Sequence, residues 1–196
     1  MKRLHLLIGP SLFLGAELIL PNGSADPTTR IRIVQTNGLA WEFGHQLIAM
    51  AFVFLLIWLS EIYAFLRTGN ELTAYFGVLL STFALAADYG VGILQLLTLD
   101  LARTAPADQA QSVLALIGQS SNLLGFAFLP TLGFAVGFGL LALGYYRRTR
   151  HILPASLLGL AGLLIALASL MQLKLVFILG ALALFGFAVL FHITKK

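Results

Sequence analysis

Tyr145-Tyr146-Arg147-Arg148-Thr149-Arg150-His151-Ile152-Leu153-Pro154 is the stretch that decides how this chain folds. Long apolar segments run into it from both sides, and Arg147, Arg148 and Arg150 are the densest positive cluster in the sequence. Three guanidinium groups do not cross hydrocarbon cheaply, so the turn is expected on the cytoplasmic side of a membrane. Fixing that one turn fixes the direction of every other apolar segment.

The 196 residues are 59% hydrophobic and 10% charged, with a mean hydropathy of +0.94. A soluble domain carries about 25% charged residues, so this chain lacks the polar surface to face water. The expected fold is all-α, a polytopic transmembrane helix bundle forming a single domain over residues 1–196. The net charge of +4 reads as topology, because the basic residues sit at segment ends; a nucleic-acid partner is not expected. The absence of cysteine excludes disulfides, thiolate nucleophiles, Cys-ligated zinc, iron–sulfur clusters and c-type haem attachment.

Spans are expected over residues 4–20, 41–66, 72–97, 126–146, 152–170 and 175–193. The first competes with a signal peptide, since Gly23-Ser24-Ala25 resembles a cleavage site, but Pro10 and Glu17 inside the apolar run favour a membrane span. Pro21 to Ala40 is a connector, with Arg30 to Val34 read as either an interfacial strand or a short helix. Gln109 to Tyr146 is too long for one span, at roughly 55 Å of helix against a hydrocarbon core of about 30 Å. It is expected to divide into an outer interfacial segment at 112–124 and a fourth span containing Pro130, or else to form one tilted, kinked helix.

With both termini cytoplasmic, the inner side holds Lys2, Arg3, Arg67, Arg147, Arg148, Arg150, Lys195 and Lys196. The outer side holds Arg30, Arg32, Arg103 and Lys174. That asymmetry obeys the positive-inside rule, and the inverted threading violates it.

Tyr146-Arg147 and Arg150 leading to Pro154 and Leu158-Gly159-Leu160, together with Ile62-Tyr63-Ala64-Phe65-Leu66-Arg67 and Asn70 upstream, resemble an uncharacterised bacterial family of six-helix membrane proteins, a domain of unknown function. The resemblance covers nearly the whole chain. It implies a six-helix fold and a multi-pass location in the cell inner membrane, and brings with it no activity and no site residues.

Ionisable groups inside a bilayer are costly, so each is a candidate for function. Asp88 lies well inside the third span. Ser81, Asp88 and Gln95 share one helix face with Ala84 and Gly92, which reads as a close helix contact or a narrow hydrated path. Glu42, His45 and Gln46 share a face of the second span, and Glu17 ends the first. Glu17, Glu42, His45, Asp88 and Gln95 thus all fall in the outer half, where they are expected to line a cavity for a proton, a cation or a cationic solute; a carboxylate–imidazole set also suits a divalent metal. The plainer reading has Glu17 and Glu42 paired with Arg30, Arg32 or Arg103, and His45 held by a packing hydrogen bond. Gly133, Gly137 and Gly144 on one face read as a close-packing seam. Arg147, Arg148 and Arg150 serve as topology determinants, with anionic lipid headgroups as candidate partners.

There is no His-Glu-x-x-His, Gly-x-Ser-x-Gly or phosphate-cradling Gly-x-x-x-x-Gly-Lys motif. No cofactor and no catalytic residue is therefore expected. A non-enzymatic accessory, assembly or regulatory membrane protein, with a membrane-protein partner or a second copy of itself, is the first expectation. The alternative is a binding or transport protein for a small solute or cation, built on the outer-half cavity around Asp88.

Overall fold

The computed structural model describes residues 5–22, 26–69, 71–119, 128–171 and 173–194. The described residues are helical apart from short turns. The helices are α1 (His5–Ile19), α2 (Pro27–Thr36), α3 (Gly38–Leu66), α4 (Glu71–Thr104), α5 (Ala107–Gln119), α6 (Phe128–Thr149), α7 (Ile152–Met171) and α8 (Lys174–Thr194). Helices satisfy every backbone amide within one segment, the condition for crossing hydrocarbon. Helices α3, α4, α6, α7 and α8 are long and apolar enough to cross a membrane, so the chain is a multi-pass membrane protein.

Six helices close into a ring in which α1 packs on α3, α3 on α4, α4 on α6, α6 on α7, α7 on α8, and α8 back on α1. The outward faces are apolar. On α3 they carry Leu39, Phe43, Met50, Val53 and Ile57, all exposed and spaced three, four or seven residues apart, which is one stripe of a helix. Glycines set the closest approaches. A Cβ on Gly133 would stand 2.6 Å from that of Ala84, and one on Gly137 would stand 2.7 Å from the backbone nitrogen of Ser81. Gly162 of α7 meets Phe134 and Phe138 in the same way. Without lipid-side hydrophobic drive, such small-residue seams let van der Waals packing hold the ring together. A π-helical turn at Gly133–Gly137 follows Pro130 within α6, and places both seam glycines on α4.

The half of the ring nearest the arginine turn is filled by an aromatic cluster. Trp58 meets Phe187 edge-on at 5.7 Å, Tyr145 meets Phe187 at 5.4 Å, and Phe187 stacks on Phe191 at 5.6 Å. All four residues are buried. Such pairs contribute about 0.5–1.5 kcal/mol each beyond their buried area.

The arginine turn closes the same end. Arg150 takes a left-handed conformation, φ 61°, and its amide donates to Tyr146 O at 2.8 Å. Arg148 lies 4.0 Å above the Phe65 ring and donates to Thr68 Oγ1. The α3–α4 and α6–α7 turns are therefore tied together at one end of the ring.

Several expected boundaries move. The third span was expected to end at 97, but α4 runs on to Thr104, and α3 begins at Gly38 rather than 41. Hydropathy falls where the bilayer ends, not where the helix ends; Thr98 and Thr104 keep their hydroxyls satisfied on Leu94 O and Asp100 O. The connector is a helix, α2, with Asp26 as N-cap accepting from the Thr29 amide at 2.7 Å and Pro27 in the first turn. The segment expected at 112–124 starts earlier, as α5 from Ala107; its residues 120–124, with the start of the fourth expected span at 126, lie outside the described residues. Within α5, Ala110 and Leu114 are buried with Ile31 of α2, against Leu101 and Ala102 of α4. Helix α1 has 15 residues, about 22 Å at the helical rise.

Candidate functional site

The end of the ring opposite the arginine turn is hollow. A cavity of about 290 Å³ is lined there by Glu17, His45, Asp88 and Gln95, together with residues the sequence reading assigned elsewhere. The antiparallel threading of the ring brings them together. Glu17 sits near the end of α1, His45 near the start of α3, and Asp88 and Gln95 in the second half of α4. Lys174 opens α8, and Arg30 reaches in from α2. Trp41 and Phe177 supply aromatic wall.

Each polar side chain is held differently. Glu17 and His45 are buried, while Asp88 is partly exposed. Among the described residues, none hydrogen bonds to the carboxylate of Asp88 or Glu17. Both carboxylates and Lys174 line the same cavity. The ring of His45 lies 2.7 Å from Trp41 O through Nδ1. A carbonyl only accepts, so Nδ1 carries the proton, and Nε2 is the acceptor of the neutral ring. Trp41 in turn donates its indole Nε1–H to Gln95 O at 2.9 Å. The side-chain oxygen Oε1 of Gln95 is buried without a partner, an acceptor whose desolvation nothing in the protein offsets.

The cations are equally placed by the fold. The Nζ of Lys174 lies 3.5 Å from Leu18 O. Arg30 is half-buried on α2, and burial draws its pKa below the usual arginine value; a guanidinium nonetheless keeps its charge in a protein.

One member of the expected set, Glu42, lies elsewhere, and so does Ser81, which shares the Asp88 face of α4. Glu42 does not line the cavity: it accepts from Arg103 at 3.0 Å at the protein surface, with both side chains well exposed. Ser81 is buried in the α4–α6 seam with its hydroxyl unpartnered, although it shares a helix face with Asp88. A seven-residue step places it about 10 Å further along the helix, past the cavity floor. Among the described residues no group of three His, Asp or Glu side chains stands close enough to hold a metal ion.

The sequence reading missed Arg30, Trp41, Lys174 and Phe177 as cavity lining. Arg30 reads in sequence as a connector residue able to pair with Glu17 or Glu42, and Lys174 as an outer-side charge. The available signal was their position: all flank segment ends that the alternating topology puts on one side.

Comparison of the chain with known protein families, curated proteins and solved structures finds no match.

Proposed function

We propose that this is an inner-membrane protein that binds a small polar or cationic solute in the hollow end of its bundle and passes it across the membrane. The frame for this reading is six spans, with α1 as a short sixth, both termini and the arginine turn cytoplasmic, and the cavity facing out. The resemblance to the six-helix bacterial family belongs to the same reading. In this frame Arg147 and Arg150 meet anionic headgroups, while Arg148 is engaged by Phe65 and Thr68.

One observation carries the proposal. Glu17, His45, Asp88 and Gln95 come from three helices and line one space. Carboxylates in such a setting are expensive and persist where a ligand or proton uses them. The aromatic cluster beneath closes the opposite side, as a carrier loaded from one face requires. An accessory role needs no such cavity. It returns as the better reading if the protein leaves its own membrane with another polypeptide at fixed stoichiometry.

Thermal unfolding in lipid nanodiscs, with and without a panel of small cations and amines, tests the proposal. A ligand at a hundredfold its Kd stabilises by about 2.7 kcal/mol, a shift of several degrees. The expected result is a saturable rise in Tm that Asp88→Asn abolishes and Glu42→Gln retains. A panel without effect, or an equal response in Asp88→Asn, overturns it.

A further inference from the structure

We propose that the occupant of the cavity is a small zwitterion, with its ammonium group inward at Asp88 and its acid group outward toward Lys174 and Arg30. This rests on the solute-binding reading above and narrows it to one chemical class.

The charges are ordered along the bundle axis. The Trp41–Gln95 bond sets those two residues at one level. Asp88 stands seven residues from Gln95 along α4, about 10 Å deeper. Lys174 is the first residue of α8, and Arg30 belongs to α2, which caps the end of the ring against α4 and α5. Both cations therefore stand at the mouth and the acid stands at the floor. Glu17 lines the same cavity near the end of α1.

Neither simple ion matches that gradient. A lone cation reaching Asp88 makes no use of the two basic side chains at the mouth. A lone anion meets Lys174 and Arg30 but is repelled by Asp88 at the floor and by Glu17. A dipolar molecule complements both ends, and in a medium of low dielectric each charge pair is strengthened. Between floor and mouth, His45 and Gln95, whose Oε1 is buried without a partner, offer neutral acceptors to a polar ligand. Trp41 and Phe177 offer apolar surface to the chain joining the two groups. The volume of about 290 Å³ is far more than a bare ion needs and admits a small organic molecule.

Isothermal titration of the full chain in nanodiscs separates this from the broader reading. The probes are glycine, β-alanine, aminobutanoate and aminohexanoate, with butylamine and butanoate as single-charge controls. The expected result is that one amino acid binds about tenfold or more tightly than either control, a difference of about 1.4 kcal/mol. Lys174→Gln should weaken that amino acid about tenfold more than it weakens butylamine. Butylamine binding as tightly as the best amino acid, with Lys174→Gln affecting both alike, overturns the zwitterion and leaves a plain cation site. Failure of every probe, both controls included, overturns the zwitterion and removes the amine ligands from the broader reading, which then stands or falls on inorganic cations. Thermal unfolding of each variant in the same nanodiscs confirms that it is folded; should Lys174→Gln not fold, Lys174→Met replaces it.

Discussion

The indole nitrogen of Trp41 donates to the main-chain oxygen of Gln95, and this one bond ties α3 to α4 at the level of the cavity. It spans 54 positions of sequence and sets the height of His45, one turn below Trp41, against Asp88. Replacing Trp41 by Phe keeps the ring and removes the donor. The expected cost is about 1 kcal/mol, read as a lower Tm. Trp58 is buried in the aromatic cluster, so any ligand-induced change in tryptophan emission should disappear in Trp41→Phe and persist in Trp58→Phe.

Gly137 and Gly139 make a matched pair of tests. A methyl group on Gly137 would press on Ser81, whereas one on Gly139 meets nothing within 4 Å. Gly137→Ala should therefore destabilise by about 1–3 kcal/mol, the usual cost of overpacking. Gly139→Ala should be neutral or slightly stabilising. Equal Tm values for the two variants would contradict the α4–α6 seam.

Glu42 and Arg103 form an exposed ion pair, with side chains 37% and 48% exposed. Pairs of this kind are worth about 1 kcal/mol or less. A double-mutant cycle with Glu42→Gln and Arg103→Gln should give a coupling energy under that limit, shrinking further as salt is raised. The same variants should leave ligand titrations unchanged, because neither residue lines the cavity.

Asp26 caps α2 from outside the membrane, and the hydrogen bonds from Thr29 hold its carboxyl below the ordinary aspartate range. A lowered folded-state pKa means the cap contributes fully above the ordinary value and is lost as pH falls through the folded one. Protection of the Thr29 amide from hydrogen exchange should be constant at neutral pH and drop in acid. Asp26→Ala should show the low protection at every pH.

How much of this was legible in sequence differs by level. Hydropathy locates α3, α4, α6, α7 and α8 because a bilayer demands about twenty apolar residues in a row. It misplaces the end of α4, since Asp100 and Arg103 end the apolar run without ending the helix. Helix α2 has a readable start in Asp26-Pro27, an N-cap followed by proline in the first turn, but its apolar residues are too few for a period to separate strand from helix. Asp88, His45, Glu17 and Gln95 were singled out by the cost of polar groups in hydrocarbon. That cost marks a residue as important and says nothing of which neighbour it faces, so Glu42 and Ser81 carried the same signal without reaching the cavity.

The sequence by itself determined the long apolar spans, the polar groups worth attention and the charge asymmetry between segment ends, because each follows from the local free energy of placing a side chain in water or hydrocarbon. The tertiary structure alone decided that the ring closes α8 against α1, that Glu42 turns out to Arg103, and that Lys174 and Arg30 stand over Asp88. Those are facts of helix rotation and helix pairing. Both depend on side-chain shape across contacts far apart in the chain, such as Gly133 against Ala84 and Trp41 against Gln95, and such contacts leave no mark on the hydropathy of either segment.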